Sequence, residues 1–234
     1  MRAQSHVVGV ALLLGVSVLA LAGLTAGLGA VVDGHASEAD ASRVATALDD
    51  ALDPVETTGR QVGHVRFSDG RLRTVERDLR VLDDSGVVES VAVGGLVYES
   101  GTKRVAYVGD GILRGTRGEG WLVDAPPVVG SEGGDVLLVS AARLNASDTA
   151  LAGGGRATLR TRVTHDRRRL GTGQYRVAIE TETPGPLARQ FRQRGASTTT
   201  RDLDGDGVPS VVARFGGTRT AYLVVHDMRL EVGR

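Results

Sequence analysis

An α+β fold that is mainly β, with its long helix at the amino-terminal end, is what three features of this 234-residue chain predict. The first is residues 7–32, which carry no charged side chain and contain fourteen Leu or Val. The second is Val44, Leu48, Leu52 and Val55, spaced as one face of a helix. The third begins at residue 58, where Gly- and Asp-rich turn signals separate short segments of alternating apolar and polar residues. Together they predict a transmembrane helix over 4–33, an amphipathic stalk helix over 34–57, and a largely antiparallel β-sheet or sandwich body with one short helix over 58–234.

The uncharged run justifies the first element. As a helix rising about 1.5 Å per residue it spans roughly 39 Å, against a hydrocarbon core of about 30 Å. Its Leu and Val side chains favour insertion by about 4–8 kcal/mol. Arg2 precedes the run, while Asp33, Glu38 and Asp40 follow it. Cationic flanks stay inside, so the predicted orientation is a single-pass anchor in the cell membrane, amino terminus cytoplasmic and carboxy-terminal body extracellular, with membrane lipid as a partner. A plain anchor and a secretory signal cut near Ala20-Leu21-Ala22 are both compatible with this pattern. Gly23 and Gly27 form a GxxxG spacing that lets a second helix approach closely. The stalk follows from good helix formers over 36–52, ending at Pro54.

The body reads as strands and turns. Tyr175, Val177 and Ile179 alternate with Arg176, Ala178 and Glu180, and Leu159, Thr161 and Val163 alternate with Arg160 and Arg162. Met228, Leu230 and Val232 alternate with Asp227, Arg229 and Glu231. Phe67-Ser68-Asp69-Gly70-Arg71 reads as a hairpin tip, and Gly109-Asp110-Gly111 as a turn. The short helix lies at 186–194, with Leu187 and Phe191 at i and i+4, Pro at its start and Gly195 at its end. Trp121, the single tryptophan, is expected in the core.

Composition narrows the function. Lys plus Arg and Asp plus Glu balance at 28 each, so no basic field for nucleic acid is indicated. The chain has no cysteine, which removes disulfides, thiolate metal sites and a cysteine nucleophile. His6, His35, His64, His165 and His226 show no metal-ligand spacing, and His226 reads as a core or edge residue. No GxSxG elbow or phosphate-binding loop is present. Arg167, Arg168 and Arg169 read as the solvated tip of a hairpin. No catalytic or cofactor-binding residue is assigned, and the expected chain is not an enzyme.

Two motifs retain chemical interest. In Asp202-Leu203-Asp204-Gly205-Asp206-Gly207 the carboxylates of Asp202, Asp204 and Asp206 alternate as in the first half of a calcium loop, so weak Ca²⁺ binding is the one cofactor expectation. Position twelve is Ala213 where a bidentate glutamate belongs, and an acidic hairpin tip fits equally. Asn145-Ala146-Ser147 is an N-glycosylation acceptor at the only asparagine.

Arg2-Ala3-Gln4-Ser5, directly ahead of an apolar helix, resembles the leader of archaeal type IV pilins and archaellins. The runs His165-Asp166-Arg167-Arg168-Arg169-Leu170-Gly171-Thr172-Gly173 and Tyr222-Leu223-Val224-Val225-His226-Asp227 are similar to segments of pilin-like surface proteins of halophilic archaea. The resemblance implies a leader over 1–3, cleavage between Ala3 and Gln4, and a non-enzymatic surface subunit for filament or envelope assembly or adhesion. It also implies self-association, or association with other pilin-like subunits, through the amino-terminal helix. A plain single-pass protein with a binding module, and a secreted hydrolase, are the other readings.

Overall fold

The structure, a computed structural model, describes residues 3–53, 59–131 and 133–234, with backbone alone over 3–13 and 23–33. Helix α1 runs Ala3–Ala51. Strands β1 (Gly59–Phe67), β2 (Arg71–Val75), β3 (Asp78–Asp83), β4 (Gly86–Ala92), β5 (Gly95–Ser100) and β6 (Lys103–Val108) follow. Next come β7 (Gly111–Gly115), β8 (Gly120–Asp124), β9 (Val128–Gly130), β10 (Val136–Arg143), β11 (Ala150–Ala152), β12 (Gly155–Gly173) and β13 (Arg176–Glu180). Helix α2 (Pro184–Gln193) precedes β14 (Ala196–Arg201), β15 (Ser210–Phe215), β16 (Arg219–Asp227) and β17 (Glu231–Gly233).

The chain divides into two compact units, Met1–Ala39 and Asp40–Arg234. In the first, Leu14, Val16, Val18, Leu19 and Leu21 are 61–74% exposed. No helix among the described residues is long and apolar enough to cross a membrane. This overturns the expected fold class with its transmembrane helix over 4–33, and with it the single-pass orientation. Beyond the uncharged run α1 carries Asp33, Glu38 and Asp40, and its last turns, at Val44 and Leu48, are buried in the body. The fold is a mainly β chain. Pro54 and Val55 lie outside the described residues, as do Met1 and Arg2 and the surroundings of Ala3, Gln4, Gly23 and Gly27.

In the second unit the strands form three sheets. Sheet one has the order β1-β12-β16-β10-β9 with β17 on β12, sheet two β11-β2-β5-β6-β7-β8, and sheet three β14-β15-β13-β3-β4. Pairing is antiparallel with one exception, the parallel pair β10–β16. Such pairs are ordinarily covered on both faces; here one face is buried along its length and the other only in part, with Val136, Leu138 and Tyr222 exposed. Leu137, Val139 and Ala141 face a cluster shared with sheet three and α2, while Ala142 joins a second cluster shared with sheet two and α1. Strand β12 spans about 60 Å and changes partner along its length, from β1 and β17 to β16.

The helical stripe is where the spacing places it. Val44, Leu48 and Leu52 are fully buried in the second cluster, with Ala41, Ala45 and Ala51 between them. A Cβ on Gly63 of β1 would collide with that of Ala51, so glycine permits the close approach of helix to strand. Asp40 is buried and accepts from the Ser68 and Asp69 backbone N–H groups at 2.8 and 3.3 Å. It thereby pins the corner at 67–71, which is not a hairpin tip. Phe67 ends a strand of sheet one and Arg71 begins one of sheet two.

Other elements depart from the reading of the sequence for local reasons. Arg167, Arg168 and Arg169 lie within β12, opposite Val224, Leu223 and Tyr222, rather than at a tip. Trp121 is half exposed because β8 is an edge strand, and the Arg114 guanidinium lies 5.3 Å from its ring. Helix α2 forms as predicted, with Leu187 and Phe191 buried and Gly195 in the left-handed region.

Leu48→Ala is expected to lower unfolding free energy by about 2–5 kcal/mol, and Gly63→Ala by about 1–3 kcal/mol through overpacking, both measured by denaturant titration.

Candidate functional site

Sheet three has one apolar and one polar face. Tyr175, Val177 and Ile179 enter the first cluster as predicted. Their neighbour Glu180, expected on a wet face, is instead buried, as is Arg80 on the adjacent strand β3. Arg80 Nη1 meets Glu180 Oε1 at 2.8 Å. Its Nη2 meets Asp78 Oδ2 at 2.6 Å and Asp204 Oδ2 at 2.8 Å. Asp204 reaches Arg80 because the β14–β15 loop carries it there.

That loop holds the three predicted cation ligands. Asp202, Asp204 and Asp206 come together, as do Asp78, Glu180 and Asp204. Their oxygens already have partners. Asp202 accepts from the Gly205 and Gly207 N–H groups at 2.8 and 3.1 Å, and Asp206 from Val208 N–H at 2.7 Å. Gly205 and Gly207 both have positive φ, which lets their N–H groups turn inward. The hydrogen bond from Arg80 holds the Asp204 carboxyl below its ordinary range. The Arg80 guanidinium thus sits among Asp78, Glu180 and Asp204, and of the three loop aspartates it touches Asp204 alone. A second arginine-centred arrangement lies at Glu182, which takes Arg77 Nη2 at 2.6 Å on one oxygen and Arg104 on the other.

Asn145 is exposed, with φ of 45°, and its Nδ2 donates to Asp227 Oδ1 at 3.2 Å. The atom that would carry a glycan is therefore engaged with β16.

The register of sheet one creates an arrangement that no local motif announces. His165 and His226 lie directly opposite each other, Nδ1 to Nδ1 at 2.7 Å. His226 Nε2 lies 2.8 Å from Ser140 Oγ on β10. Serine, histidine and histidine form a relay, with Ser140 and His226 only 6% and 7% exposed. Burial, then the neighbouring His165, pushes the His226 imidazole down to about 4.

Near the end of α1 a cavity of about 260 Å³ is lined by Asp49, Asp53, Asp110, Asp124, Tyr107 and Pro127 among others. Asp110 follows Gly109 in a two-residue hairpin loop where both φ are positive, 56° and 70°, as a type I′ turn requires. The single hydroxyl proton of Tyr107 faces two acceptors, the Leu52 carbonyl at 2.9 Å and Asp110 Oδ1 at 3.2 Å. A proton on Asp110 relieves that competition. Burial, reinforced by Asp53, Asp124 and Asp49, raises its carboxyl to about 7.

Residues 2–231 match a family model described as a family of unknown function (DUF7289), and the chain belongs to that family. No curated protein and no solved structure matches it.

Asp110 and His226 act on stability with opposite sign. Asp110, raised from 3.8 to about 7, stabilises fully below its unfolded value and loses this as pH rises through about 7. His226, lowered from 6.5 to about 4, stabilises fully above 6.5 and loses this as pH falls through about 4. Between about 4 and 6.5 the two slopes oppose each other. Relative to the parent, Asp110→Asn is expected to gain stability with rising pH, by up to about 1.4 kcal/mol per unit, and His226→Asn to lose it similarly. Urea titration across that range checks both. Arg80→Ala is expected to lower the thermal midpoint by several degrees, whereas millimolar Ca²⁺ shifts the parent's by less than about one, by scanning calorimetry.

Proposed function

We propose that the chain is a non-catalytic assembly subunit of the type IV pilin-like kind, in which an apolar helical segment binds the same segment of other copies. The observation that carries this reading is the exposure of Leu14, Val16, Val18, Leu19 and Leu21. On a helix advancing 100° per residue these positions, together with exposed Ala20, leave no sector wider than about 100° without an apolar side chain. A helix meant for one protein surface has a single apolar stripe, as α1 has at Val44, Leu48 and Leu52. One that is apolar all round requires neighbours all round, which several sister helices supply. The leader-like Arg2-Ala3-Gln4-Ser5 and the small-residue spacing of Gly23 and Gly27 agree with this reading.

Sedimentation of the full chain at tens of micromolar, without detergent, tests it. The parent is expected to form species well above the 24.4 kDa monomer. Leu14→Asp with Leu19→Asp is expected to sediment as a monomer with unchanged circular dichroism. A monomeric parent overturns the proposal.

The Ser140–His226–His165 relay supports hydrolysis as a second reading. It has a nucleophile, a base and a group orienting that base, though a base held near 4 is weak at neutral pH. Covalent labelling of Ser140 by a fluorophosphonate, absent in Ser140→Ala, would favour hydrolysis over the assembly reading.

A further inference from the structure

Some arginines of the body are answered by a carboxylate. Arg73, Arg77, Arg80, Arg104, Arg143 and Arg168 each form an ion pair. The outward face of β1 and β12 differs. In the antiparallel register Arg60 stands opposite Arg162, Arg66 opposite Arg156, and Val62 opposite Arg160. All five arginines are exposed, and none has a side-chain hydrogen bond or ion pair among the described residues. Like charges directly opposite across a ladder are destabilising, so folding alone leaves this repulsion standing. Between these strands and Arg229 runs a groove of about 550 Å³ whose one acidic lining residue is Glu231. No aromatic lines it, so base stacking of the kind that holds single-stranded nucleic acid is not provided.

The same unit carries the complementary defect. The end of α1 has Asp49 and Asp50 in its last turn and no basic residue there, although a helix carboxy-terminus is itself the negative end of a dipole. The adjoining cavity adds Asp124, and no cationic side chain lines it; Asp110, also in its lining, keeps its proton up to about 7. Residues 54–58, next in sequence, contain no Lys, Arg or His. Charges balance over the whole chain at 28 against 28, so these are separated charges and not an overall excess.

We propose that the arginine face of β1 and β12 on one copy docks on the aspartate cavity at the end of α1 of the next. The occupant is a second copy because this chain itself offers the missing counter-charge, in a concave site, on a different surface. The contact is heterologous: each copy gives its arginine face to one neighbour and its aspartate cavity to another. It propagates into a row or ring, and two copies do not satisfy it. This deepens the assembly reading by adding a polar contact between bodies to the apolar contact between helices.

The two contacts respond oppositely to salt, which screens exposed charges over about 3 Å at 1 M against about 10 Å at 0.1 M. Full chains are compared by sedimentation at both concentrations. Arg160→Glu with Arg162→Glu, and separately Asp49→Arg with Asp124→Arg, are each expected to weaken association about tenfold or more at 0.1 M salt. Mixing the two variants restores it, since one retains the cavity and the other the arginine face. The cysteine-free background gives a second measurement: Arg162→Cys mixed with Asp124→Cys should yield a disulfide-linked dimer that neither forms alone. If association is indifferent to both reversals yet lost in the helix variant, the docking inference falls and the assembly reading stands. If only the arginine reversal weakens it, that face takes another anion and the inference falls. A parent monomeric at both salt concentrations removes both.

Discussion

The body is organised around a parallel strand pair that is covered along one face and in part on the other. Strands β10 and β16 supply it, and consecutive residues of β10, Ala141 and Ala142, point into different hydrophobic clusters. Sheet three and α2 close one side; sheet two and the end of α1 cover part of the other. The length of β12 follows from this arrangement. Its second half pairs with β16, and its first half extends past the covered region to pair with β1. There one face shares a cluster with α1, through Ala157 and Leu159, and the other presents Arg156, Arg160 and Arg162 exposed. The arginine face is that uncovered remainder.

Arginine serves the body as a structural cation. A planar guanidinium with five donors can answer several carboxylates at once, which an ammonium does less well. Arg80 reaches Asp78, Glu180 and Asp204 together, and Glu182 divides its oxygens between Arg77 and Arg104. These contacts lash the β14–β15 loop to sheet three, and the segment after β13 to sheet two. Burying such groups costs several kcal/mol per ion, and removing one member strands the others, so each cluster behaves as a unit.

What the sequence disclosed was local. Period alone placed the stripe of Val44, Leu48 and Leu52, the alternation of Leu159, Thr161 and Val163, and α2 between its proline and Gly195. What it withheld depends on which strands become neighbours. Asp204 and Arg80 are 124 positions apart, so a loop with the spacing of a cation site gave no sign that one of its carboxylates pairs with a guanidinium. His165 and His226, 61 apart, meet only because β12 and β16 pair in one register; a shift of one residue would send one of them to the opposite face. Residues 67–71 have hairpin composition yet join two sheets, since turn residues specify a change of direction and not the partner that follows. The long uncharged run was read with its whole length as one spanning segment. No helix among the described residues is long and apolar enough to cross a membrane, and Asp40, Val44 and Leu48 of the same α1 are buried in the body.

An apolar helix surface and a separated pair of charged surfaces contribute different things to association. Apolar contact is strong and non-directional, and alone it would hold copies together in many arrangements. Charged contacts in water add modest affinity but reject wrong registers, because a like-charge juxtaposition costs several kcal/mol. Here the arginine face repels its own kind, so two copies cannot meet face to face as a symmetric dimer would. The aspartate cavity repels its own kind as well. Only the mixed contact is favourable, and it is the one that cannot close on two copies. In the proposed assembly, charge separation in a neutral chain therefore selects a directional arrangement.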